Sequence, residues 1–193
     1  MNTQPLLSQR VASLAIVRDN PASPPGASIR HVAVLLASTA QDCETQFVIY
    51  EESFAGGEDG RDVAEWLGTI IPEGADIALR ATASMIDPSP ATDLEAPSPW
   101  WLIADMAWLR QRFGQEPRIW TLDLSNLDIF ETLKAMHLPC AFPVKQWELH
   151  ATLAAGEAQA IWYHLLALTC SDDELARRVA EWQGWVSAGQ AHQ

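Results

Sequence analysis

The stretch VASLAIVRDNPASPPGASIRHVAVLLA, residues 11–37, decides the fold. Its ends, 11–17 and 29–37, are short apolar runs bounded by polar residues, which predicts two strands buried in a sheet. Its middle, 18–28, is rich in Pro, Gly and Ser and reads as a loop. A third run, QFVIYE at 46–51, follows closely, with Gln41 and Asp42 near the turn. Three early strands in succession predict an antiparallel meander.

The pattern then changes period. Residues 61–71 place Val63, Trp66, Leu67, Ile70 and Ile71 at helical spacing. Residues 76–80, DIALR, read as a short strand or as a continuation of that helix. Residues 85–99 read as a Pro- and Asp-rich loop, 100–113 as a helix ended by Gly114, and 117–122 as a strand. Ser125 or Asp128 can cap a helix running to 137. Residues 139–149 read as a Pro-broken loop, 152–169 as a strong helix, and 171–187 as a last helix with Ser171 and Glu174 at capping-box spacing. With no internal repeat and no dividing linker, residues 1–193 are expected to form one domain, an α/β mixed sheet with flanking helices.

Composition narrows the function. The chain has 193 residues, 48% apolar and 19% charged, which suits a folded domain with a real core. No apolar run approaches the ~18–20 residues of a membrane span, and MNTQPLLSQR does not resemble a secretion signal. A cytoplasmic protein with no membrane role is the expectation. Cys43, Cys140 and Cys170 are scattered and odd in number, so reduced thiols are expected and zinc is not. Phosphate-cradling glycine loops, G-x-S-x-G and H-E-x-x-H are absent; Gly56-Gly57 belongs to an acidic turn.

Twelve basic residues face twenty-five acidic ones, a net charge of −13. Nucleic-acid binders usually carry a basic face, because neutralised phosphates supply most non-specific affinity. Here the largest basic cluster is Arg177-Arg178. Either phosphate contact is confined to a small pocket or the partner is a protein with a basic surface. Solubility alone is the plainer account of the charge.

Three segments resemble the phage and prophage 3′–5′ exonucleases of the DEDDh group, which have a ribonuclease-H-like fold. That family opens with Asp-x-Glu-Thr on a strand, then a loop and Pro-x-Ala-x-Ile-x-x-Ile-Gly-Ala-Val. This chain has Val17-Arg18-Asp19-Asn20, then Pro25-Gly26-Ala27-Ser28-Ile29-Arg30-His31-Val32-Ala33-Val34. Trp100-Trp101 is similar to the family's Trp-Trp pair at a helix start. Ile119-Trp120-Thr121 followed by Asn126-Leu127-Asp128 resembles its second acidic motif, with the aspartate on Leu127 ungapped or on Asp128 after a one-residue shift; Asp123 is a weaker candidate. His150 to Ala160 is similar to its last motif, with His150, Leu153, Gln159 and Ala160 in register. The resemblance spans roughly residues 11–165, and no motif is intact.

It implies a site that has lost ligands. Such enzymes hold two divalent ions about 4 Å apart across the scissile phosphate. Hard cations need oxygen ligands, and the histidine serves as general base. Val17 stands at the first aspartate position and Ala155 at the last, so neither can ligate a metal. Asp19, Asp128 and His150 remain as catalytic candidates, and Asp19 and Asp128 as the metal candidates. No cofactor is expected, and Mg2+ or Mn2+ only if activity remains. A catalytically inactive exonuclease-like protein that binds nucleic-acid ends or a partner protein is one reading. A living enzyme using Asp123 or Glu157 is another. Asp19 as a turn residue, Asp128 as a helix cap and His150 as a packed or capping residue are the plain alternatives; His137 and His164 read as structural.

The nine tryptophans divide the same way. Trp66, Trp108 and Trp162 fall on apolar helix faces, and Trp120 on an expected central strand, where core packing is the better account. Trp100, Trp101, Trp182 and Trp185 are the expected binding aromatics, with Trp182 and Trp185 one turn apart as an exposed stripe. Aromatics without surrounding positive charge fit a protein interface better than a nucleic-acid groove. The second functional reading is therefore an acidic, Trp-rich interaction module, an inhibitor or subunit of a nucleic-acid-processing machine with no nucleic-acid role of its own.

Overall fold

The structure, a computed structural model, describes residues 9–18, 29–39, 44–54, 60–80, 118–122, 132 and 146–190. In chain order these form β1 (Arg10–Arg18), β2 (Ile29–Thr39), β3 (Thr45–Ser53), α1 (Gly60–Ile70), β4 (Asp76–Arg80), β5 (Ile119–Leu122), α2 (Gln146–Thr169) and α3 (Asp172–Gln190). The strands make one sheet in the order β3-β2-β1-β4-β5. The meander is present: β1 pairs antiparallel with β2, and β2 with β3. β4 runs parallel to β1, and β5 parallel to β4. The α/β mixed sheet with flanking helices is therefore as expected.

Between its terminal arginines β1 is apolar except at Ser13, because both its faces are covered. Val11 and Ala15 belong to a core with Ala33, Leu35, Ala78, Ala154, Ala158, Ile161 and Leu165. Ala12 and Leu14 belong to another with Val32, Val34, Ile77, Val63, Leu67 and Ile71. Alternation thus sends α2 to one face and α1 to the other. On the α2 side Ala154 and Ala158 of the helix share one core with Ala15 and Ala33 of the strands.

α1 buries Val63, Leu67 and Ile71, one turn apart in succession, and half-buries Trp66 and Ile70 beside them. The chain then reverses through Pro72-Glu73-Gly74. Gly74 has φ +75°, a left-handed conformation that glycine adopts without steric cost. DIALR is the strand β4, with four of its five residues buried.

Two expectations need correction. α2 begins at Gln146 rather than at 152, so His150 sits within its second turn rather than before it. No proline or glycine between 146 and 152 opposes a helix there. Trp120 lies on β5, which among the described residues is an edge strand and not the central one, and it is half-buried. Its indole N–H donates to Asp76 Oδ2 at 3.2 Å, and the Arg118 guanidinium lies 5.8 Å from its ring centre. The expected helix at 100–113 and loop at 85–99 lie outside the described residues, as does all of the expected helix to 137 except helical Thr132.

Candidate functional site

The resemblance places its site where the end of β1 meets α2. Val17 is near the carboxyl end of β1, pairs with His31 of β2, and precedes a register shift at Arg18. Ala155 is half-buried on α2 between Ala154 and Gly156, both buried. α2 packs against all five strands, most extensively against β1 and β2. Asp19, Asp128, Asp123, Trp100 and Trp101 lie outside the described residues. Of His150 the structure describes only its place in the helix.

A charged pair joins α2 to the end of β4. Glu157, two residues beyond Ala155, meets Arg80 at the carboxyl end of β4, with Arg80 Nη1 donating to Glu157 Oε1 at 3.5 Å. Burial pushes the Glu157 carboxyl above its ordinary range, and the Arg80 charge and hydrogen bond work in the opposite direction. Among the described residues no group of three or more His, Cys, Asp or Glu converges as a metal ligand set. Among the described residues the donor chemistry does not make a two-ion centre: valine at 17 and alanine at 155 offer no oxygen, and Glu157 is matched to a guanidinium.

Across from Val17, the buried His31 ring shares a hydrogen bond between Nδ1 and Ser53 Oγ at 2.9 Å. Its Nε2 lies 3.9 Å from Glu51 Oε1. His164, expected to be structural, is half-buried on α2 and lies 3.5 Å from the Thr132 hydroxyl. Desolvation lowers its pKa, which favours the neutral ring.

The second candidate surface is built by β3 and α3. Trp182 is not exposed, as the sequence suggested, but fully buried. Phe47 of β3 stands edge-on to it, with ring centres 5.1 Å apart and planes at 81°. Phe47 meets Trp162 of α2 in the same way at 5.3 Å and 88°. These are the edge-to-face arrangements that the aromatic quadrupole favours. Trp185 is partly exposed as expected, at 37%. It lies over Trp182 with centres 4.9 Å apart and planes at 30°. One ring of the expected stripe thus anchors α3 and the other shows at the surface.

A polar latch fixes α3 beside that cluster. Ser171 caps the helix by accepting from the Glu174 N–H at 3.4 Å. Arg178 donates to the hydroxyls of Thr39 and Thr45. The Thr45 hydroxyl donates to Glu181, and so does its backbone N–H, at 3.3 Å. Glu174 receives Arg177 and Arg178, and the Arg177 hydrogen bond above all holds its carboxyl below the usual range. Arg177 and Arg178, the one basic pair of note in the sequence, are thus engaged by acids and hydroxyls of the protein itself.

Sequence reasoning missed Arg80, His31, Phe47 and Thr45. Arg80 ends an apolar five-residue strand, a placement that suggests a polar rim. The partners of the other three are set by strand register and by α3, which no local pattern reveals.

Compared with known proteins, the chain matches no family model, no curated protein and no solved structure.

Proposed function

We propose that this chain is an acidic protein-interaction module built on a ribonuclease-H-like scaffold, and that it docks on a protein with a basic surface. The observation that carries the reading is Trp185. It is an exposed indole held rigidly against a buried aromatic cluster, beside a strand whose exposed end carries Glu51 and Glu52. A pre-ordered tryptophan offers large contact area at small entropic cost, which is the character of an interface hot spot. Surrounding negative charge selects a basic partner and repels nucleic acid.

The scaffold reading draws support from the topology. An antiparallel meander continued through β1 into parallel strands, with helices on both faces, is what the exonuclease resemblance implies. The loss of phosphodiester hydrolysis draws support from the identities of Val17 and Ala155 and from the pairing of Glu157 with Arg80. Binding of nucleic-acid ends is the weaker reading, because Arg177 and Arg178 are turned to internal acids.

Two measurements test this. Incubation with 3′-labelled single strands in Mg2+ or Mn2+ is expected to leave the label intact; label loss that vanishes in His150→Ala overturns the loss of hydrolysis. Affinity capture from nuclease-treated lysate is expected to recover a basic protein that Trp185→Ala no longer holds. Recovery that depends on intact nucleic acid counts against docking on protein.

A further inference from the structure

We infer that the outer edge of β3 is a strand-addition site for an extended basic segment of the partner. This deepens the proposed interaction module and rests on that reading. β3 ends the sheet, so one of its sides has no strand beside it among the described residues. The direction of its peptide groups follows from two hydrogen bonds. Thr39, which faces Thr45 across the β2–β3 pair, sends its N–H to Gln9 O on the β1 side at 2.7 Å. Thr45 sends its N–H to Glu181, not to β2. Thr39 and Thr45 are therefore a non-hydrogen-bonded pair, and every second residue of β3 points its N–H and C=O outward. The β2–β3 register runs without a shift from Thr45 to Ser53. The outward set is thus Thr45, Phe47, Ile49, Glu51 and Ser53.

Among the described residues Glu181 closes the first of these and leaves the rest. From Phe47 onward the edge is a template for one more antiparallel or parallel strand. Natural edges are commonly blunted by Lys, Pro or a bulge. β3, TQFVIYEES, contains neither residue and no bulge. Its two halves differ in chemistry. The first offers Val48, 41% exposed on the α1 face, and Trp185 beside Phe47 on the α3 face. The second offers Glu51 and Glu52, both exposed and, by alternation, on opposite faces of the sheet. An added strand would lay apolar side chains against the first half and find a carboxylate on either face of the second. Charge complementarity therefore commits the occupant to a β-prone segment carrying Arg or Lys. A second copy of this chain is the poorer occupant, since each brings a net charge of −13 and the same glutamates.

The test uses the full chain and a labelled peptide of about eight residues alternating Arg and Val, long enough for one strand. A peptide of equal charge with Pro in place of Val cannot pair and is the control. We expect the first to bind at least about tenfold more tightly than the second. Amide exchange is expected to slow at Phe47, Ile49 and Glu51 and to stay unchanged at Val48 and Tyr50, which already face β2. Glu51→Lys combined with Glu52→Lys is expected to weaken binding about tenfold or more; if that variant does not fold, the amide pattern of the unaltered protein still decides. Equal binding of the Pro peptide, or binding without protection of the three amides, overturns the strand-addition site while leaving an acidic docking module standing. No binding of either peptide, with a basic protein still captured from lysate, does the same. Failure of both the peptides and the capture removes the module itself. A dimer in sedimentation that protects the same amides overturns the choice of occupant.

Discussion

The Glu157 carboxylate on α2 meets the Arg80 guanidinium at the end of β4, 3.5 Å away. A fixed positive charge of the protein thus faces one of the two acids, Asp123 and Glu157, that sequence reasoning kept as substitute ligands. The Glu157 side chain is 18% exposed and that of Arg80 40%, so solvent screens the pair from one side only.

Arg80→Gln should make stability more dependent on pH. The Glu157 carboxyl is already raised in the folded state by burial, and losing the arginine raises it further. A carboxyl raised by folding favours the native state below its unfolded pKa and loses that contribution as pH rises through the folded value. The deficit of Arg80→Gln relative to the parent should therefore be small in acid and grow as pH climbs past the ordinary glutamate range. Urea midpoints between pH 4 and 7 would show it, and adding Glu157→Gln should flatten the profile. A deficit independent of pH would mean the arginine acts through packing alone.

Trp182→Ala should cost about 3–5 kcal/mol, the range for removing a large buried aromatic. Trp185→Ala should cost far less, because its ring is 37% exposed and its removal leaves Trp182 still packed on Phe47 and Trp162. Denaturant unfolding of the two variants separates anchor from surface residue. Equal losses would show that the two indoles act as one unit.

Arg178→Ala should cost about 1–3 kcal/mol, since it strips a charged donor from the Thr39 and Thr45 hydroxyls. The Thr45 amide, held by Glu181, should exchange faster in Glu181→Ala than in the parent. Unchanged protection of that amide would mean that α3 is held by its aromatics alone.

The fold was readable where short, mainly apolar runs are bounded by polar residues. Residues 11–17, 29–37 and 46–51 were such runs, and they became β1, β2 and β3 with one or two residues added at most ends. DIALR was ambiguous because five residues cannot distinguish a strand from the end of a helix by period. Trp182 shows the deeper limit. The sequence gives its spacing from Trp185 but not its cover, which is Phe47, far away on β3 and brought close only by the tertiary fold. The resemblance alone set Val17 and Ala155 at two ligand positions, which is a matter of residue identity. The pairing of Arg80 with Glu157 depends on how α2 crosses the end of β4, and that is not a local property.

Ser13→Ala should be neutral or stabilising. The Ser13 hydroxyl is fully buried on β1 and has no hydrogen-bond partner among the described residues. Deleting it removes the cost of keeping an unmatched polar group dry, about 1–3 kcal/mol at most, and opens a gap smaller than a methyl group. Thermal unfolding decides; a large loss would reveal a partner for the hydroxyl.

The indole of Trp120 and the carboxylate of Asp76 also act as a ruler for the last strand. β5 is four residues long, too short for its ladder to select one alignment strongly on its own. Sliding it by a single residue would turn every side chain over and carry the indole away from the acid. One contact between the first residue of β4 and the second of β5 therefore counts off where the sheet stops, and a substitution at either end would blur that count before it melted the domain.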